Sequence, residues 1–498
     1  MNPSIKDSVQ KARCAFQQWS QHPLSERLEL IERFRRLLLK KRKTVSQLIT
    51  AETGKPISES LTEVFAVLET CKWLKKDCAK ILKPELLKLN RLFFGSKRNK
   101  VQLEPLGVIA VISPWNFPLS IPATGVLTAL ATGNCVLLKP SPKASQVAGA
   151  LADLLHEAGL PDDVLQVIHG DKEEAQALLK EGLDRVVFTG SVAGGRAIMQ
   201  LAAQNLTPVT LELGGKHPAI VLEDADLERC ADAILWSAFT NAGQACASIE
   251  RLYVVESKHD DLLKLLQRKV SKLRLGAPLD PRTDVGPMID EEQFKRVRGM
   301  IDKACQQGAS LVCGGRSLAE ANPKLAAKLK GFYLEPTILA GVKPDMEILQ
   351  EEIFGPVLPV VQVRNRSEAI ALANESRYGL GASVWSNDLV GAEAVAARIR
   401  AGMVWINDGL FSHACPEAPW GGIKYSGSGR THGKHALLDF VNIKLVSSDK
   451  PGRRNWNFPY SRAQLGLIDA AICKQNSPTF VGRLWASVRL AFNWLRTR

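Results

Sequence analysis

The stretch Gly107-Val-Ile-Ala-Val-Ile-Ser113 runs straight into Pro114-Trp-Asn-Phe-Pro118, then into a helix-length segment Ile121–Thr132 and a second short apolar run, Asn134-Cys-Val-Leu-Leu-Lys139. Two short, nearly unbroken apolar runs separated by a segment of helix length read as strand, helix, strand. Strands without polar alternation belong to a parallel sheet covered on both faces. The same alternation continues outward. Strands read at Val164–His169, Arg185–Thr189 and Pro208–Leu211, and helices at Ala144–Ala158, Glu173–Lys180 and Ala193–Asn205. A second series begins at Pro218. Its strands read at Pro218–Leu222, Leu252–Glu256, Ala309–Cys313, Tyr333–Ile338 and Val357–Val363, and its helices at Leu227–Thr240, His259–Lys272, Glu291–Gln307, Ser367–Ser376 and Gly391–Ile399. Upstream, residues 4–20, 26–52 and 56–84 have helical periodicity, with Ala51-Glu-Thr-Gly-Lys55 as a helix stop. The pattern as a whole is α/β with two parallel-sheet units, in which a dinucleotide would bind beyond the carboxyl ends of the strands.

At 498 residues the chain exceeds a single core and calls for two or three domains. The net charge of +14 is unevenly placed. From Lys450 onward nine basic residues face the single acid Asp469, so this tail carries eight of the fourteen charges. Ten cysteines are scattered without a Cys-x-x-Cys pair or zinc-like spacing, and no metal is expected. They fit reduced thiols and a cytoplasmic setting. The first residues lack the features of a signal peptide, and no apolar run is long enough to span a bilayer.

Several stretches carry chemistry. Asn241-Ala-Gly-Gln-Ala-Cys246-Ala-Ser-Ile-Glu-Arg251 sets a cysteine after a Gly-Gln turn, flanked by Ala245 and Ala247, so that a ligand can approach the sulfur. A thiolate there can act as a nucleophile toward a carbonyl carbon. Glu212 ends the strand Pro208-Val-Thr-Leu-Glu212 beside Leu213-Gly-Gly215, where a carboxylate has room to move and can activate water. Asn116, bracketed by Pro114 and Pro118, can aim its amide at an oxyanion together with the Cys246 N–H. Phe188-Thr-Gly-Ser-Val-Ala-Gly-Gly195 follows a strand and opens a helix, so its backbone N–H groups can approach a pyrophosphate.

With Pro114-Trp-Asn-Phe-Pro118, Leu211-Glu-Leu-Gly-Gly-Lys216, the Cys246 stretch and Glu351-Glu-Ile-Phe-Gly-Pro356 together, residues 10–448 resemble the aldehyde dehydrogenase superfamily. The resemblance implies oxidation of an aldehyde to the acid with NAD or NADP, with Cys246 as nucleophile, Glu212 as general base and Asn116 in the oxyanion hole. It further implies cofactor contacts from Trp115, Lys139, Ser141, Gly190, Ser191, Glu352 and Phe354, and support from Lys216 and Asn407. Where NAD-preferring members often carry a glutamate, this chain has Pro142 followed by Lys143, which leaves NADP open. The implied organisation is a cofactor domain (1–84 and 106–213), a catalytic domain (214–438) and an oligomerisation arm (85–105 and 439–448) serving a homodimer or homotetramer. The tail, 449–498, lies outside the shared pattern.

In that tail Arg453-Arg-Asn-Trp-Asn-Phe-Pro-Tyr460 is aromatic and basic, and Val481–Arg498 reads as an amphipathic helix. It can lie on an anionic membrane surface as a peripheral contact, or pack on the body or on another subunit. A basic run alone does not establish a nucleic-acid partner, and none is expected. The leading substrate class is a long-chain or hydrophobic aldehyde. Its alternatives are a small carboxylated semialdehyde or, outside the enzymes, an inactive membrane-recruited binding protein.

Overall fold

The computed structural model describes residues 4–90, 94, 96–451, 458 and 460–496. The chain divides into two units. One comprises residues 1–83 and 102–444, the other residues 84–101 and 445–498.

The first unit holds two large sheets. The six-stranded sheet has the order β15-β7-β6-β3-β4-β5, where β3 is Val108–Ile112, β4 Cys135–Lys139, β5 Leu165–Val167, β6 Arg185–Thr189, β7 Val209–Glu212 and β15 Gly427–Ser428. All its pairings are parallel except β15 against β7. Every residue of β3 and β4 is buried, which is why their sequences show no alternation. Helices Leu24–Thr53, Ile57–Ile81, Ser120–Thr132 and Ser145–Glu157 supply Phe34, Leu74, Leu127 and Leu151 to the core of this sheet.

The seven-stranded sheet has the order β10-β11-β12-β9-β8-β13-β14, with β8 His217–Val221, β9 Ile249–Val255, β10 Ser310–Cys313, β11 Thr337–Ala340, β12 Val357–Val363, β13 Gly381–Trp385 and β14 Met403–Ile406. It is parallel apart from β10 against β11. Two of its strands, β13 and β14, have no counterpart in the sequence reading: Gly-Ala-Ser-Val-Trp is short, and small residues obscure its apolar character. The strand expected at Tyr333–Ile338 starts four residues later. Residues 333–336 run beside it with an isolated bridge from Leu334 to Ser317.

A third sheet, ordered β1-β2-β16, pairs Glu85–Leu86 (β1) antiparallel with Lys97–Pro105 (β2), and its β16 spans Val441–Asp449. The segment 85–105, expected as part of the oligomerisation arm, is thus strand at its two ends. A helix, Gly433–Asp439, precedes the last strand. The tail forms two helices that pack on each other, Arg462–Asn476 and Phe480–Arg496. Arg489 pairs with Asp469 at 3.2 Å and Gly466 lies against Asn493. The first of the two was not read from sequence. Leu92 and Phe93 of the arm, and most of the aromatic-basic stretch 453–460, lie outside the described residues.

Candidate functional site

Cys246 sits in the loop between helix Leu227–Phe239 and β9, and the backbone before it takes an uncommon path. Asn241, Ala242 and Gly243 all have positive φ (52°, 53° and 71°). Two non-glycine residues in this conformation are strained, and such strain persists where the surroundings over-determine it. Gly243 faces the Gly355 carbonyl, where a Cβ would come within 2.1 Å, so the third position has no room for a side chain. The buried Gln244 side chain donates to the Asn241 carbonyl and accepts from Ile289 N–H. Burial, then the charges of Glu212 and Glu352, push the Cys246 thiol up to about 12. The sulfur therefore rests as a thiol and needs a base to become a nucleophile.

Glu212 ends β7. Neither of its carboxylate oxygens has a hydrogen-bond partner among the described residues, although the side chain is buried. Burial raises it well above the usual carboxylate range, while the Arg430 charge opposes the shift. A Cβ at Gly421 would come within 2.6 Å of Oε1, so the missing side chain leaves the carboxylate its space. An unpaired buried polar group costs on the order of 1–3 kcal/mol, which marks Glu212 as a group held for a partner that comes and goes.

Asn116 is fixed from three sides. Its Nδ2 donates to the Gln244 carbonyl at 3.0 Å, which leaves its second N–H for another acceptor. Its own carbonyl accepts from Lys55 Nζ at 2.7 Å and Asn241 Nδ2 at 3.0 Å. Lys55 is paired with Glu63 at 2.6 Å, both fully buried, and lies 4.0 Å above the Phe117 ring. The other Glu63 oxygen accepts from Leu119 and Ser120 N–H at the start of helix Ser120–Thr132. One turn earlier, Glu59 accepts from Thr240 Oγ1 and Asn241 N–H, and burial pushes it up to about 7. Helix Ile57–Ile81 thereby holds both the Asn116 loop and the Cys246 loop. Lys55, Glu59 and Glu63 were not singled out from sequence. Their signal was Ala51-Glu-Thr-Gly-Lys55, which reads equally well as a plain helix stop.

The residues expected to contact a cofactor form a second group. Glu250 pairs with Lys216 at 2.8 Å and accepts from Ile353 and Phe354 N–H, fixing the Glu352–Phe354 turn in which Phe354 has φ 52°. Lys216 therefore acts through Glu250. Glu352 accepts from Gly215 N–H, and burial followed by the Glu250 charge pushes it up to about 8. Trp115 meets Phe354 edge-on at 5.6 Å. Gly190 N–H donates to the Glu212 carbonyl, and a Cβ on Gly190 would strike the Phe188 ring at 2.6 Å. Ser191 caps the helix Val192–Gln204 through Gly194 N–H. Lys139 Nζ donates to the Pro140 and Gly170 carbonyls, while Ser141 Oγ accepts from Lys143 N–H. Lys143 is paired with Asp290 and lies 5.9 Å from the Trp115 ring. Asn407, at φ 56°, exchanges two hydrogen bonds with Ser386.

This donor set fits a dinucleotide. A side-chain-free approach at Gly190 leads to a 13-residue helix, cations stand at Lys139 and Lys143, and Glu352 is a half-buried carboxylate that accepts from Gly215 N–H. Among the described residues no group of side chains could hold a metal ion.

Cys246 and Glu212 open on one cavity of about 210 Å³. Its walls are largely apolar, with Val111, Ile121, Leu410, Trp420 and Phe440 among them. Phe65, Trp236 and Phe411 line it while being half or more exposed. Arg430 is the one cation among the described lining residues, and its Nη1 is taken by the Gly422 and Gly429 carbonyls. His413 and His432 also line it, and neither was read as functional from sequence.

The model of the Aldehyde dehydrogenase family matches residues 2–446. The chain is 38% identical to the 4,4'-diapolycopene aldehyde oxidase of a Methylomonas species, over 92% of this chain and 84% of that one. It is 36% identical to a Mycolicibacterium smegmatis protein provisionally named a succinate-semialdehyde dehydrogenase using NADP(+), over 88% and 83%. Among solved structures it resembles the NAD-dependent aldehyde dehydrogenase from Sinorhizobium meliloti, with a TM-score of 0.84 and 36% identity over 90% of this chain and 88% of that one.

Proposed function

We propose that this chain, which belongs to the aldehyde dehydrogenase family and so is an NAD(P)-dependent enzyme oxidising an aldehyde to the acid, acts on long-chain or otherwise hydrophobic aldehydes. The observation that carries the substrate class is the apolar cavity at Cys246, with Phe65, Trp236 and Phe411 exposed along its lining. Burying such surface against an alkyl chain is worth about 25 cal/mol per Å². The Methylomonas relative's name points the same way, whereas the M. smegmatis name favours a small carboxylated aldehyde. A carboxylate would need a cation, and the one cation among the described lining residues, Arg430, already faces the Glu212 carboxylate and gives its Nη1 to two carbonyls.

The geometry supports the following roles. Cys246 Sγ forms a bond to the aldehyde carbon as its proton passes to Glu212. Asn116 Nδ2–H and the Cys246 N–H hold the oxygen that becomes anionic. When bound, the nicotinamide cofactor accepts the hydride that leaves this carbon. Glu212, once it has released that proton to solvent, takes a proton from water, whose oxygen bonds to the acyl carbon as the C–S bond breaks and the sulfur leaves as a thiolate. Lys139, Ser141, Gly190, Ser191 and Glu352 would hold the cofactor, with Trp115 and Phe354 beside its nicotinamide end.

The tail is the proposed membrane contact. Among the described residues no helix is long and apolar enough to cross a bilayer. Helix Phe480–Arg496 instead exposes Leu484, Trp485, Val488, Phe492 and Leu495, with Arg483, Arg489 and Arg496 on the same helix. That combination suits an anionic lipid surface. The arm exposes Leu86, Ile443 and Leu445 and is the proposed contact with a second copy in a homodimer or homotetramer.

Steady-state NADH and NADPH formation across an aldehyde chain-length series tests the substrate class. kcat/KM should climb with chain length, and succinate semialdehyde should rank last. A reversed order overturns it. Trp485→Glu and Phe492→Glu should abolish binding to anionic vesicles, and unchanged binding would remove the tail's proposed role.

A further inference from the structure

Within this apolar cavity two imidazoles form a polar patch of their own. The His413 and His432 ring centroids are 5.7 Å apart. Trp420 flanks both, at 4.9 Å from His413 and 6.1 Å from His432, and Phe117 lies 5.5 Å from His413. His432 is 95% buried, and its Nδ1 has no hydrogen-bond partner among the described residues. The Nδ1 of His413 has none either, and its Nε2 has only a long contact, 3.4 Å, to Ser120 Oγ. Burial, reinforced by Lys55 for His413 and by His413 for His432, holds both rings neutral, pushing them down to about 4 and about 3. Such a pair offers donors and acceptors with no net charge.

Buried polar groups find partners in nearly all folded proteins, so orphans that line a ligand cavity are expected to find theirs on the ligand. The chemistry of the surroundings narrows the choice. A carboxylate would enter a cavity that already holds Glu59, Glu63 and Glu212, while Lys55 is committed to Glu63 and the Asn116 carbonyl. A carbonyl oxygen only accepts. A hydroxyl both donates and accepts, and can be shared between two neutral imidazoles. We propose that His413 and His432 form a hydroxyl-recognition subsite, and that the preferred substrates are apolar aldehydes bearing a hydroxyl group along the chain. This rests on the hydrophobic-aldehyde reading above.

The test uses the full-length enzyme and a series of equal chain length: the unsubstituted alkanal, hydroxyalkanals with the hydroxyl moved stepwise along the chain, an oxo-analogue and an ω-carboxy analogue. One hydroxyl position should raise kcat/KM roughly tenfold over the alkanal. His432→Phe should bring that ratio close to unity, and His432→Gln should keep part of it. If no hydroxyl position outperforms the alkanal, or the ratio survives both His432→Phe and His413→Phe, the subsite is wrong while the hydrophobic-aldehyde reading stands. If the ω-carboxy analogue is best, or the alkanal is not oxidised at all, that reading falls and the subsite with it.

Discussion

Two walls of the same active-site region treat buried polar groups in opposite ways. Beneath Asn116, Lys55, Glu63 and Glu59 form a closed network in which each charged group meets a specific partner. In the same cavity lining, Glu212, His413 and His432 keep polar atoms that are unpaired among the described residues. The closed network builds geometry, since it places the Asn116 amide and the Cys246 loop before any substrate arrives. The open groups bear a standing desolvation cost, which water, substrate or a travelling proton relieves. The difference separates residues that position from residues that react or recognise.

The comparison can be broken most decisively at its two extremes. Glu212→Gln should lower turnover by about 10²–10⁴-fold, measured as steady-state NAD(P)H formation, yet leave the urea midpoint at pH 8 unchanged or higher. The sign follows from the raised Glu212 pKa. The folded state holds its proton more tightly than the unfolded chain, so the wild type loses stability as pH rises above the ordinary value of 4.5, and the glutamine does not. Lys55→Ala should do the reverse on stability. It strands the Glu63 carboxylate in a fully buried position and should cost about 3–5 kcal/mol in urea unfolding. A stable Lys55→Ala protein would mean that the network is dispensable.

Asn116→Ala sharpens the distinction. The residue belongs to the closed wall through its carbonyl and faces the reaction through its amide, so kcat should fall about 10²–10³-fold. KM should change much less. The smallest effect concerns the histidines. Both have folded pKa values below 6.5, so their contribution to stability is present above 6.5 and is lost as pH falls toward about 4. His432→Phe should flatten that part of a Tm-against-pH profile, and an unchanged slope would show that His432 is not held neutral.

Much of the molecule was readable from residue order because its signals are local. The fully apolar runs of β3 and β4, the Pro-Trp-Asn-Phe-Pro turn, the glycines before Glu352 contacts at 214 and 215, and Cys246 between two alanines are each a few residues long. So is the basic, amphipathic register of Phe480–Arg496. Strand β13 escaped because small residues blur its pattern, and β14, Met-Val-Trp-Ile, because it is only four residues long. Helix Arg462–Asn476 escaped because its apolar face is weakly segregated, with Leu465, Ile468 and Ile472 exposed while Leu467 and Ala470 are buried.

What the sequence by itself determined is the two-sheet α/β architecture, the aldehyde dehydrogenase resemblance and the identity of the candidate catalytic set, since each depends on residue types at short, fixed spacings. What only the tertiary structure decided is which buried charges are satisfied and which are not. Lys55 meets Asn116 across 61 positions, Glu59 meets Asn241 across 182, and Ser120 meets His413 across 293. Pairing and desolvation are properties of the neighbours that folding brings together, and no local pattern carries them.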